Sequence, residues 1–160
     1  MATDFTQRYG APTIINITLD SLANGSYRAS SGIVNTSGFT DMQVSFRITS
    51  PAASTDSNGS ISFFAAASTN KGAYYTDGVS GQDSAFTPSA SATNLFRLGY
   101  GPMVANSTTY TYGPFSLASA FDGALPEYVA VVVGNNCGAS LPSSAAGSGW
   151  YQGVSYRGTP

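Results

Sequence analysis

Histidine is absent from this 160-residue chain, and lysine, cysteine and tryptophan occur once each. Without an imidazole, hydrolysis by a Ser-His-Asp or Cys-His arrangement has no base. One cysteine cannot close an intramolecular disulfide, and no cluster with metal-ligand spacing is present, so neither metal nor cofactor is expected. Charge is scarce too: 9% of residues are charged, with a net charge of −2, against about 25% in an average domain. Such a balance leaves no electrostatic footprint for phosphate backbones or anionic lipid, which argues against nucleic acid and membrane as partners. The longest apolar run, Tyr128 to Val133, is strand-sized, far short of the ~20 residues of a spanning helix. The start, Met1 to Phe5, has neither the basic region nor the apolar stretch of a secretory signal.

What fills the chain instead is Ser, Thr, Gly and Asn, about two-fifths of the residues together. This mixture favours turns and strands and starves helices of amphipathic spacing. Residues 1–12 are polar, unpatterned and end at Pro12, so they are expected as a flexible N-terminal arm. Residues 13–160 are expected as a single β-sandwich domain. From Thr13 to Leu19 the period is two, with Ile15, Ile17 and Leu19 facing inward. Asn24-Gly25 marks a tight turn, and a strand is expected from Tyr27 to Val34. The clearest strand is Phe39 to Thr49, where Met42, Val44, Phe46 and Ile48 alternate with polar residues. Ile61–Ser68, Asn94–Val104, Thr108–Ser116, Glu127–Val133 and Trp150–Tyr156 complete the set, with one helical turn at Leu117–Phe121. The unbroken apolar run at Glu127–Val133 reads as a central strand covered on both faces. A long loop from Asn70 to Ser91 is of the kind that is functional or interface-forming. The fold class is therefore all-β, an antiparallel sandwich of about eight strands, jelly-roll-like. Its core is expected from Ile15, Ile17, Leu19, Met42, Val44, Phe46, Ile48, Phe63, Leu95 or Phe96, Val129, Val131 and Val133.

Catalytic constellations are thin. A Ser-Lys dyad would need Lys71, which sits in a Gly-flanked loop. Cys137 has no base to activate it and reads as a free, partly buried thiol. The carboxylate pairs Asp77/Asp83 and Asp122/Glu127 are candidates for glycoside hydrolysis, but Asp77 and Asp122 each precede a glycine, as turn residues do. Asp56 to Ser60 imitates the opening of a calcium loop without the bidentate acid near its end. Five Asn-x-Ser/Thr sites (Asn16, Asn24, Asn35, Asn58, Asn106) follow from composition alone. The reading is of a non-enzyme. The residues left for recognition are aromatic: Tyr74-Tyr75 and Trp150-Tyr151, as sugar-stacking pairs or interface anchors, and Phe5 and Tyr9 in the arm. Arg28, inside a strand, joins them as an ion-pair or interface residue.

The stretch Leu19-Asp20-Ser21-Leu22-Ala23-Asn24-Gly25-Ser26-Tyr27-Arg28 resembles the Leu-x-Ser-Leu-Ala-x-Gly-Ser-x-Arg opening of small virion-associated proteins of tailed bacteriophages. Ala105–Tyr110, Gly113–Phe121, Leu125–Val133 and Tyr151–Tyr156 resemble that family's later blocks, in order. The resemblance runs from about Leu19 to Tyr156 and leaves out the arm and the loop at Asn70–Ser91. It implies a structural component of the virion, made in the bacterial host cytoplasm. The expected role is a decoration (cement) protein that binds the major capsid protein as a homo-oligomer. The alternatives are a tail, neck or fibre component, or a glycan-binding module.

Overall fold

Period-two alternation sets the architecture. A computed structural model describes residues 5–53, 55–88 and 94–158. Its strands are β1 (Phe5–Tyr9), β2 (Thr13–Ile15), β3 (Tyr27–Ala29), β4 (Ile33–Val34), β5 (Asp41–Thr49), β6 (Ser60–Ser68), β7 (Ser84–Phe86), β8 (Phe96–Pro102), β9 (Thr109–Ser116), β10 (Tyr128–Asn136) and β11 (Gly147–Gly158). One helical turn, α1 (Leu117–Ala120), follows β9, with the Ser116 hydroxyl accepting from the Ser119 N–H as its cap. Residues 1–4 of the expected arm and 89–91 of the long loop lie outside the described residues.

Two antiparallel sheets stack as a sandwich. The first runs β1-β11-β5-β9, with β2 also on β11; the second runs β7-β3-β10-β6-β8, with β4 also on β10. The pairs nest: β2 with β11, β3 and β4 with β10, β5 with β9, β6 with β8. With β3 and β4 counted as one interrupted strand, this nested pairing of eight strands across two sheets is the jelly-roll pattern.

The core lies between the sheets. Met42, Val44, Phe46 and Ile48 of β5 face Ile61, Phe63 and Ala65 of β6 and Val129, Val131 and Val133 of β10. Phe46 stacks on Phe63 with ring centroids 4.9 Å apart. The Phe46 ring also lies over Gly149, where an added Cβ would come within 2.5 Å of it. Cys137 is free and fully buried beneath this core rather than partly so.

A second apolar cluster sits on the outer face of the second sheet. Ala29, Ala66, Ala130 and Val132 point outward there and are covered by Tyr75 and Val79 from the loop after β6. The run at β10 is therefore apolar throughout because it is buried on both faces, as expected.

Three of these expectations need correction. Phe5–Tyr9, expected within a detached arm, form a strand paired with β11, although all five side chains stay exposed. The expected strand Tyr27–Val34 breaks into β3 and β4. At the break the buried Ser30 hydroxyl takes the Val131 N–H at 3.0 Å and so stands in for a ladder acceptor. Near β8 neither Leu95 nor Phe96 enters the main core. A register shift opposite Phe63/Phe64 turns Leu98 inward instead, while Phe96 tilts against Phe121. The described part of the long loop carries β7 and folds down as the cover just described.

Candidate functional site

β11 is longer than its neighbour. Gly147 to Val154 pair with β5, but the strand continues to Gly158, and past Val154 its partner is β1 alone among the described residues. Two strands therefore project beyond the sandwich as a ribbon. Residues opposite one another share a face, and faces alternate along each strand. Phe5, Gln7 and Tyr9 thus lie with Val154 and Tyr156 on one side, where Val154 at the root of the ribbon is buried, and Thr6 and Arg8 with Ser155 and Arg157 on the other. Phe5 is 74% exposed, and Tyr9 and Tyr156 54% each. The Gln7 amide donates to the Tyr9 hydroxyl at 3.1 Å and ties the two side chains together. The ribbon is aromatic on one face and basic on the other.

Further along the same face of β11, Trp150 and Gln152 stand outward. Trp150 faces Ile14 of β2 on one side and Ser45 of β5 on the other, and Gln152 faces Gln43. Ile14 is 79% exposed. At the far edge Gly113-Pro114 falls where β9 slips register against β5, opposite Ser45. Between Pro12 and Pro114, the side chains of Gln43, Ser45, Trp150 and Gln152 line a hollow of about 230 Å³.

The other candidates part company. Tyr74 is exposed, but Tyr75 is only 8% exposed, with its hydroxyl end over Gly32 and its ring against Gly81. It is a cover for the second sheet and unavailable as half of a stacking pair. Tyr151 turns inward against the core while Trp150 turns outward. Neighbours in extended chain point to opposite sides, so neither pair forms a platform. Arg28 is committed to a latch: its Nε donates to Asp83 Oδ1 at 2.7 Å, while the Thr18 hydroxyl and N–H donate to the same carboxylate at 2.6 and 3.1 Å. Burial pushes the Asp83 carboxyl up, but these bonds outweigh it and hold it below the ordinary carboxylate range.

Asp83 is thereby withdrawn from any carboxylate pair, and Asp77 and Asp122 occupy left-handed turn positions, φ 58° and 56°. Asp56 caps its own turn by accepting from the Asn58 N–H. Among the described residues no three His, Cys, Asp or Glu side chains gather as a metal site, and no helix is long and apolar enough to cross a membrane. Lys71, at φ 48°, is exposed in its loop.

Tyr156 and Ile14 went unnoticed in the sequence. Both are apolar residues out of phase with the inward set of their own strands, and that phase was the available signal. Protein-family models, curated proteins and solved structures were compared with the chain, and none matches it.

Proposed function

We propose that the protein is a structural component of a tailed-phage particle, a decoration protein that attaches to the outside of the capsid. The observation that carries this reading is the ribbon of β1 and β11. Three exposed aromatic side chains, Phe5, Tyr9 and Tyr156, share one face of a two-stranded element. A two-stranded ribbon is marginal in water by itself, and a few aromatic anchors supply most of the energy of a protein interface. The sequence blocks that resemble virion proteins, and a jelly-roll-like sandwich with flat, rigid faces suited to symmetric packing, support the same reading.

In this reading the partner is the major capsid protein, the site of action is the virion, and no reaction is catalysed. A ligand that binds only the assembled shell stabilises it by mass action. Contacts made by aromatic rings, hydroxyls and backbone groups leave few ion pairs to screen, so attachment resists moderate salt.

The test is the copy number per particle, from quantitated virion protein bands, followed by rebinding of Phe5→Ala/Tyr9→Ala to stripped particles. Hundreds of copies and weakened rebinding are expected. A dozen copies or fewer would move the protein to the tail or neck, and absence from particles would end the proposal.

A further inference from the structure

The chain's single tryptophan is outside the core. Trp150 stands half-buried on the outer face of the first sheet and forms one wall of the hollow between Pro12 and Pro114. Around it the polar groups are uncommitted. The Trp150 indole N–H, the Gln43 amide and the Ser45 hydroxyl, all on half-buried residues, have no hydrogen-bond partner among the described residues. Gln152 uses only one N–H, donated to the Gly10 carbonyl at 2.8 Å, and keeps its oxygen free. None of these atoms is sealed from solvent, so each can exchange a water for a ligand group. Four on one sheet face, beside one aromatic wall and two proline walls, make a recognition surface.

We infer that this hollow binds a neutral sugar ring, independently of where on a particle the protein resides. The chemistry selects the class. A pyranose offers an apolar C–H face to the indole and hydroxyls, each both donor and acceptor, around its rim. The lining matches that mixture: one pure donor in Trp150, a free oxygen and a second N–H in Gln152, and groups of both kinds in Gln43 and Ser45. A proline-rich peptide would present almost only carbonyl acceptors and would leave the amide oxygens unmatched. No carboxylate, ammonium or guanidinium lines the hollow, which disfavours sugar acids. Its 230 Å³ equals the share of about eight liquid waters, room for one ring. Trp150 would stack on the ring, with Gln43 and Ser45 fixing its hydroxyls.

A lone tryptophan makes the experiment direct, because all indole fluorescence reports on the hollow. The full chain is titrated with glucose, galactose, mannose and N-acetylglucosamine, with glucuronate and a proline-rich peptide alongside. A saturable change with at least one neutral sugar, at a roughly millimolar dissociation constant, is expected. Gln43→Ala, verified as folded by circular dichroism, should weaken it by about fivefold. Trp150→Ala, followed by saturation-transfer NMR, should lose binding. No saturable response to any neutral sugar overturns the inference. So does a response only to glucuronate or to the peptide, or sugar binding that Gln43→Ala and Trp150→Ala leave unchanged.

Discussion

The two sheets turn opposite outer faces to the world. The second sheet's is roofed by the chain itself, with Tyr75 and Val79 over Ala66, Ala130 and Val132. Among the described residues the first sheet's carries no such roof, and β5 shows Gln43, Ser45, Arg47 and Thr49 there, half-buried to exposed, although Val154 of β11 is buried. The difference is written in composition: a roofed strand drops polar residues from both faces, and a bare one keeps strict alternation. It also separates two uses of aromatics. Under the roof a tyrosine fills space; on the first sheet's side Tyr9 and Tyr156 are exposed and Trp150 is half-buried.

The largest effect should come from cutting what both sheets share. Phe46→Ala removes the ring stacked on Phe63 and lying over Gly149, and should cost about 3–5 kcal/mol in urea unfolding. The comparison itself is tested by two aromatic truncations. Tyr75→Ala should cost about 2–4 kcal/mol, because it opens a cavity over the second sheet. Trp150→Ala on the bare face should cost about 1 kcal/mol. Equal losses would mean that the first sheet's outer face is also part of the folded core.

The roof's latch should respond to acid. A carboxyl held below its unfolded value stabilises the fold above that value, about pH 4, and ceases to as pH falls through the lower, folded one. On acidification below about pH 4, the Gly32 N–H, bonded to the Gly81 carbonyl at 2.9 Å, should therefore lose protection, measured against its intrinsic exchange rate at each pH. Amides of β10 should hold. Asp83→Asn should show fast exchange already at neutral pH, with little further response to acid; an acid response as large as wild type's would show that another group controls the loop. The smallest effect belongs to β1. Its side chains are all exposed, so deletion of residues 1–11 should lower the melting temperature by only a few degrees, about 1 kcal/mol or less.

How far the sequence could be read depended on whether a signal was local. β5 announced itself through alternation, and its buried face agrees residue for residue; β10 announced itself through its unbroken apolar run, and Val129–Val133 are buried as expected, while Glu127 is exposed and the strand runs on to Asn136. The break between β3 and β4 was hidden because its cause is one serine hydroxyl capturing an N–H a hundred residues away. The ribbon was hidden for a similar reason: Phe5 and Tyr9 acquire a meaning only when residues 154–158 arrive beside them. Adjacency misled where alternation should have ruled, since Tyr74-Tyr75 and Trp150-Tyr151 are neighbours in sequence and opposites in space. The hollow at Trp150 draws on β5, β9 and β11 and on Pro12, and no window along the chain contains it.

The ribbon also fixes how the protein bears a load. Phe5 lies across the ladder from Gly158, so the two ends of the described chain leave the molecule side by side. Antiparallel rungs run perpendicular to their strands, and a pull that separates these ends meets them one at a time, as a zipper does. The ribbon opens first, rung by rung from Gly158 back to Val154, before any tension reaches the sandwich. Tension applied at the ends is taken up by peeling, and the jelly-roll behind it stays intact until those five rungs are gone.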